Sequence, residues 1–453
     1  MNVDGYKDKL FAFLEANEEN MIADLKEFVR IPSISTDLEQ VRRALDYALS
    51  LGERMGFSSR AVLDGQVGVI ETGAGPETLG ILSHVDVVPP GDLEAWDSPP
   101  FEPVIRDGAI WGRGTLDDKG AIIASLYAMK AVADLGQPWR KKVQLILGTQ
   151  EEVDWTDMRA YVKSFPLPDY GFTPDGEYPL CNIEKGMMDV EIAVPLDSPA
   201  GEGLFLSAID GGKATNVVPD YCRARLLKKP GDEVVTIEAR GKSAHSCQPE
   251  KGENAIINLC HRLKEEPLAE NALARVAKVL REKFADIYGR EIGLYSKDEY
   301  YNGEFIHRNT IAVTMITTGD NEATLNFNVR FAYGTTEEEI LEAFRGVASE
   351  MGGTVKSYKA LPAVYISKDR PFMQAFARAY ETVTGLKNEF TLAYGGSYAK
   401  AMKNIVSWGP IFPGEEDTCH EVNEHMSLRS LMLNAKIFAL AIAGIALSEK
   451  SFK

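Results

Sequence analysis

Between Asp4 and Val29 apolar residues recur at spacings of three and four (Leu10, Phe13, Leu14; Ile22, Leu25, Phe28), the period of a helix with one buried face, and the phase breaks at the segment IPSIS. Two opening helices are expected there. Thr78–Leu82 and Val143–Leu147 are short apolar runs that end in polar residues, the pattern of strands buried on both faces of a parallel or mixed sheet. Helical patterns lie between and after them, over Ala121–Leu135 and Thr156–Ser164. Such alternation predicts an α/β layer, in which ligands sit beyond the carboxyl ends of the strands. The polar clusters that follow the strands are therefore the places to look for chemistry.

After Glu184 the texture changes. Met188–Val194, Gly203–Ser207, Arg223–Lys228 and Val234–Gly241 read as strands, and Asn254–Leu263 and Leu268–Phe284 as helices. Another group follows, with strands over Asn309–Thr317 and Glu322–Phe331 and a helix over Thr336–Met351. From about Ala363 a helix over Pro371–Val383 and a final apolar helix restore the first texture. The expected organisation is an α/β catalytic domain with a mixed sheet flanked by helices, made of residues 1–181 and 363–453 and interrupted by an inserted α+β lid domain, residues 182–362. The longest apolar run, Ile437–Leu447, falls short of the roughly 20 residues that a spanning helix needs. It is read as part of a buried C-terminal helix.

Composition narrows the function classes. Apolar residues make up 45%, charged residues 26% and aromatics 9%, the profile of an ordinary globular chain. With 67 acidic against 49 basic side chains the net charge is -18, a field that repels nucleic acid and anionic membranes. The five cysteines are scattered and form no CxxC, which argues against a disulfide framework or a thiolate zinc site and fits a reducing cytoplasm. The N-terminal segment mixes charges with apolar residues and lacks the apolar core of a secretory signal.

The candidate chemistry lies after the strands. His84 closes the run TLGILS, and Asp86, two residues on, points the same way along an extended segment, where it can orient the imidazole. WGRGTLDDKG follows, with glycines for a tight turn and Asp117, Asp118 and Lys119 at the mouth of a helix. Glu151 and Glu152 come directly after the strand VQLIL, where adjacent carboxylates repel unless they share a cation or a proton. Asp175 lies in FTPDGE and His420 in GEEDTCHEVNEH. Imidazoles and carboxylates without a thiolate suit zinc, manganese or cobalt, and His84, Asp117, Glu152, Asp175 and His420 together suggest a two-metal hydrolytic site. Glu424 could support His420 or cap the last helix. His261, His307 and His425 are read as structural or solvated.

The motifs SHVDVVP, GRGTLDDKG, GTQEE, TPDGE, GKSAHS and GEEDTCHEVNE, in that order over nearly the whole chain, resemble the co-catalytic metallopeptidases that include carnosinases, aminoacylases and succinyl-diaminopimelate desuccinylases. The long insertion, TLDDKG, NVVPD and GGSYAK look most like the bacterial PepV-type dipeptidases. The resemblance implies that His84 and Asp175 hold one metal, Glu152 and His420 the other, and Asp117 bridges them, with zinc the first choice and manganese or cobalt the alternatives. It also implies that Glu151 is the catalytic base, working on a metal-bridging water, and that Asp86 orients His84. In the insertion it assigns His245 to the oxyanion and Asn216 to the substrate carbonyl. Arg330, with the loop Gly395, Gly396 and Ser397, would receive the substrate's free carboxylate. Lys400, Cys247 and the FAY after Arg330 depart from the usual pattern of these relatives.

The expectation that follows is a cytoplasmic metal-dependent dipeptidase, with Xaa-His or β-Ala-Xaa substrates included. Its partner is a small dipeptide, not nucleic acid or a membrane. The length of the insertion resembles the members that act as monomers. An N-acyl-amino-acid amidohydrolase, a deacylase or desuccinylase, is the alternative.

Overall fold

The computed structural model describes residues 4–197, 203–228, 235–296 and 298–453. They divide into two compact units. The first comprises Met1–Asn182, Ile366–Thr391 and Ser397–Lys453, the second Ile183–Tyr365 and Leu392–Gly396.

The first unit is built on a mixed sheet of strands β1 (Ser58–Val62), β2 (Val67–Gly73), β3 (Thr78–His84), β4 (Lys142–Gly148), β5 (Tyr170–Thr173), β6 (Cys181–Glu184, of which Cys181 and Asn182 belong to this unit) and β7 (Ile405–Ser407). Their order is β1-β2-β4-β3-β5-β7-β6. The middle of the sheet is parallel: β3 runs beside β4 from Thr78↔Lys142 to His84↔Gly148, and β5 lies parallel to both β3 and β7. From Leu79 to His84 and from Val143 to Gly148 every residue is buried, as strands covered on both faces must be. The helix Lys119–Asp134 is buried along most of its length, as is Leu428–Ala446. That last helix extends well beyond the apolar run seen in the sequence. Its 19 residues are long and apolar enough to cross a membrane, but 67% of its most apolar window is buried inside the protein.

Two helices open the chain, Asp4–Ala16 and Glu18–Val29. A third, Leu38–Arg54, was not foreseen, although Val41, Ala44, Leu45, Ala48 and Leu49 form its buried stripe and Asp37 caps it by accepting from the amide of Gln40. Strands β1 and β2 also escaped the sequence reading. β1 alternates poorly, because its side chains are at least partly exposed.

The second unit is a seven-stranded antiparallel sheet in the order Thr236–Arg240, Tyr221–Leu227, Phe205–Gly211, Thr310–Thr318, Glu322–Phe331, Gly186–Pro195 and Thr354–Leu361. Tyr221–Leu227 alternates buried and exposed positions, as expected of a sheet packed on one face. Its core joins that face to the helices Ala255–Leu263, Ala272–Lys283 and Glu337–Met351. Thr336 and Glu339 close a capping box at the start of the last of these, and Gly352 ends it in the left-handed conformation with φ 78°.

Several boundaries move from those expected. The helix expected from Leu268 begins at Ala272, because the Asn271 side chain caps it. The strand expected over 203–207 runs from Phe205 to Gly211. The one expected over 234–241 spans Thr236–Arg240, with Val234 outside the described residues. Thr354–Leu361 was not expected, since most of its side chains are exposed and it carries no apolar alternation. At the seam the first unit reaches to Asn182 and resumes at Ile366, where Asn182 and Ile366 pair through backbone (2.9 Å) and side-chain (3.1 Å) hydrogen bonds. The segment Leu392–Gly396 belongs to the second unit, tied there by the Lys185 amide, which donates to Ala393 at 3.0 Å.

Candidate active site

His84 sits at the carboxyl end of β3 and is fully buried. Its Nδ1 lies 2.9 Å from the main-chain carbonyl of Asp86. A carbonyl can only accept, so Nδ1 carries a proton and, in the neutral ring, Nε2 presents a lone pair. That lone pair faces carboxylates: Asp117 Oδ1 at 2.9 Å and Asp175 Oδ2 at 4.0 Å. His84 Nε2 and Asp117 Oδ1 are buried without a hydrogen-bond partner. A lone pair aimed at buried carboxylate oxygens is repulsive unless a cation or proton lies between them, so the residues present fit a metal ion.

Asp117 faces two ways. Its Oδ1 approaches His84, and its Oδ2 lies 3.1 Å from Nε2 of His420. The same nitrogen of His420 lies 3.0 Å from Glu152 Oε2. Donor atoms of His84, Asp117 and Glu152 fall within 4.8 Å of one another, and so do those of His84, Glu151 and Asp175. The five residues expected as ligands are thus brought together by β3, the 112–118 turn, the turn after β4, the turn after β5 and the 418–421 turn.

Charge at this site is unbalanced. Burial, reinforced by Asp175, pushes the Glu151 carboxyl well above the ordinary range. Burial and the charge of Asp117 push Glu152 up to about 7. Contacts with Asp117 and Glu152 raise His420 to about 11. Burial acts to lower His84, but its contacts with Asp117 and Asp86 outweigh that and hold it raised. These are the marks of a pocket with more carboxylates than cations.

Glu424 neither supports His420 directly nor caps the last helix, whose N-cap is Ser427. Its buried carboxylate accepts from the amides of Gly114 (2.9 Å), Leu116 (2.8 Å) and Asp117 (3.1 Å) and pairs with Arg113 Nη1 at 2.7 Å. It holds the turn that presents Asp117. Gly114 lies at φ 86°, and a Cβ there would come 2.9 Å from Val87 Cγ1.

Asp86 meets the His84 ring through its main-chain carbonyl, at 2.9 Å. Its carboxylate is 3.5 Å from Nδ1, beyond hydrogen-bond range, but it accepts from the amides of Glu151 (3.2 Å) and Glu152 (3.3 Å) and from Ser35 Oγ (2.8 Å). It fixes the backbone of the adjacent glutamates. Asp157 and Tyr398, which the sequence reading passed over, complete that support. Asp157 accepts from the amides of Thr149 (2.6 Å) and Gln150 (3.0 Å) and from the Tyr398 hydroxyl (2.8 Å). Asp118, noted only as part of a charged turn, is fully buried and accepts from the His84 amide at 3.3 Å. The signal for Asp157 was local, an acidic residue in the first turn of the helix Thr156–Ser164. His425 stacks on Trp111 at 4.0 Å, a structural role.

His245, Asn216 and Arg330 lie on the second unit. His245 pairs in register with Val217, and the Asn216 carbonyl accepts from the Ser246 amide at 2.9 Å. The Cys247 amide donates to His245 Nδ1 at 3.1 Å, which leaves the proton of the neutral ring on Nε2. Partial burial and the charge of Arg330 hold this imidazole below its ordinary pKa. Arg330 is buried, with Nε on Asn328 Oδ1 (3.0 Å) and Nη1 on the Tyr394 carbonyl (3.1 Å). The expected carboxylate loop is divided, Gly395 and Gly396 with the second unit and Ser397 with the first. Ser397 Oγ accepts from the Ala399 amide at 3.3 Å.

Histidines and carboxylates gathered at the carboxyl edge of a mixed sheet, one carboxylate set between two imidazoles, define a metal-dependent hydrolase. Sequence comparison then fixes which kind, because the profile of Peptidase family M20/M25/M40 matches residues 80–444 and the chain belongs to that family of peptide-bond hydrolases. It is 32% identical over 463 residues to the "Putative dipeptidase YtjP" of Bacillus subtilis (strain 168), covering 95% of this chain and 98% of that protein. A Staphylococcus aureus (strain MRSA252) protein described in the same terms is 33% identical over 471 residues, with 95% and 98% coverage. Among solved structures, human carnosine dipeptidase 1 superposes with a TM-score of 0.62 at 18% identity, over 96% of this chain and 98% of that one. Aminoacylhistidine dipeptidase from Vibrio alginolyticus gives 0.65 at 17% identity, over 93% and 96%. At these identities the two structures attest the fold alone.

Proposed function

We propose that this enzyme is a dipeptidase that cleaves the bond between two amino acids and requires the free C-terminal carboxylate. The observation that carries the reading is the Asp117 carboxylate, which turns one oxygen to His84 (2.9 Å) and the other to His420 (3.1 Å). His84 and Asp175 would hold one divalent cation and Glu152 and His420 a second, with Asp117 shared and zinc the first choice. When bound, the cations supply Lewis acidity, which makes water nucleophilic near neutral pH and polarises the scissile carbonyl. Glu151 takes the proton from the attacking water and returns it to the leaving amine. Asp86 keeps Glu151 and Glu152 in place through their amides. His245, neutral with its Nε2–H exposed for donation, stabilises the oxyanion, a contact typically worth a hundredfold to a thousandfold in rate. Asn216 assists at the substrate carbonyl.

Hydrolysis of dipeptides, tripeptides and N-acyl amino acids by the metal-reconstituted protein tests the reading. Dipeptides should lead. Preference for N-acyl amino acids would put the amidohydrolase in its place.

Specificity for two residues follows if Arg330, with the loop Gly395–Ser397, encloses the carboxylate one residue beyond the scissile bond. Arg330→Ala should then lower dipeptide kcat/KM by about 2 kcal/mol or more, as expected for a lost charge-assisted contact. Equal cleavage of dipeptides and dipeptide amides by the wild type would refute this role.

The proposal includes a cytoplasmic monomer whose His245 serves its own chain. Mixing His245→Ala with Glu151→Gln protein should restore no activity, and light scattering should give a monomer at assay concentration. Recovery on mixing would make His245 an intersubunit residue.

A further inference from the structure

The second unit carries a short hairpin, Tyr300–Tyr301 paired with Glu304–Phe305, whose rings stand in solvent: Tyr300 is 62% exposed, Phe305 41% and Tyr301 39%. Exposed aromatic clusters mark binding surfaces more often than isolated apolar residues do. The hairpin is anchored from below. Ile306, next to Phe305, is buried with Ile183 and Ala332, and Tyr365 and Leu392 pack against them.

The outward rings form a continuous line. Tyr300 and Phe305 meet edge to face at 5.6 Å, Phe305 and His307 at 5.6 Å, and His307 and Tyr394 at 5.5 Å. The line ends at Arg330, which donates to the Tyr394 carbonyl. Lys185 fixes its inner end. Fully buried, it donates from Nζ to the Arg308 carbonyl at 2.7 Å, lies 3.3 Å from His307 Nδ1, and sits 5.8 Å from the centre of the Tyr394 ring. Two of the four rings are thus held in fixed relation to the guanidinium.

We propose that this line of rings seats the side chain of the residue whose carboxylate Arg330 receives, so that the enzyme favours dipeptides with an aromatic or large apolar C-terminal residue. The inference rests on the dipeptidase reading and on the role of Arg330 within it. In an amino acid the side chain and the carboxylate leave the same carbon, so a carboxylate on Arg330 brings the side chain beside Tyr394 and His307. The exposed faces and edges along this line can take another flat or branched apolar group against them.

The test is kcat/KM for Ala-Phe, Ala-Leu and Ala-Gly with the metal-loaded full chain, as wild type, Phe305→Ala and Tyr300→Ala. Wild type should prefer Ala-Phe to Ala-Gly by about tenfold or more, the scale of burying one aromatic side chain. Phe305→Ala should remove most of that preference through KM for Ala-Phe, while Ala-Gly turnover stays near wild type and reports an intact fold. A Phe-to-Gly ratio unchanged in both variants overturns the proposal and leaves the dipeptidase standing. An unchanged ratio together with an altered oligomeric state assigns the hairpin to contact with a second copy. Failure of the wild type to cleave any of the three peptides, with activity on N-acyl amino acids, overturns both readings.

Discussion

Glu151→Gln is expected to lower kcat by about a thousandfold or more and to leave metal content at the wild-type level. The magnitude follows from losing a general base, whose contribution is typically a hundredfold to ten-thousandfold. The two glutamates differ in their neighbours, and the proposed roles follow that difference. Glu152 lies 3.0 Å from His420 Nε2, in the line of groups that runs through Asp117, whereas Glu151 has its donor atom beside His84 and Asp175. The two glutamates are adjacent in sequence, and Asp86 binds both of their amides, so the amide replacement preserves shape and backbone and removes only the basic oxygen. His84→Ala and Asp117→Ala should differ in kind, losing metal together with activity. Metal analysis beside the rate measurement separates these outcomes. If the Glu151→Gln protein keeps more than a few per cent of wild-type turnover, the base is another group.

Much of this cluster was legible because its candidate ligands stand at or near the ends of apolar runs. His84 ends a buried strand and Glu151, Glu152 and Asp175 come soon after one, and short apolar runs that end in polar residues draw attention to such positions. His420 lies in a turn without periodicity, and it was singled out by its residue type in GEEDTCHEVNEH and then by the resemblance. The supporting residues were harder to see, since their partners are distant in the chain. Glu424 acts on amides some 307 to 310 residues away, and no local pattern encodes such a contact. Asp86 shows the same limit: its spacing from His84 suggested a carboxylate–imidazole contact, whereas its closest partners are Ser35 Oγ and the amides of Glu151 and Glu152. In the fold, β1 and Thr354–Leu361 were missed because they lie at the margins of their sheets, with side chains too exposed to alternate. The interrupted organisation was readable from the return of helical texture near Pro371. The transfer of Leu392–Gly396 to the second unit was not, since it depends on long-range contacts, among them the Lys185 amide to Ala393 and Arg330 Nη1 to the Tyr394 carbonyl.

Exhaustive chelation should abolish activity, and a divalent cation should restore it. Glu151, Glu152, Asp117 and Asp175 face only two imidazoles, so the protein groups by themselves gather protons: Glu152 is pushed up to about 7 and His420 to about 11. A bound cation would replace those protons as the partner of the carboxylates, with His84 and His420 as the imidazoles that would hold it. Two consequences can be read without any turnover. Loading the chelated protein near pH 7 should release protons, so that the binding enthalpy varies with the ionisation heat of the buffer. Loading should also raise the thermal midpoint, because the cation binds the assembled cluster and not the unfolded chain. The sign of the pH dependence is fixed by the same competition. Histidine and carboxylate ligands bind metal only when deprotonated, so affinity falls as pH falls, and metal should leave on acidification. Full activity after chelation, with absence of metal verified by elemental analysis, would remove the metal-dependent mechanism. Restored activity without proton release would instead mean that the groups around Asp117 are not the ones that bind the ion.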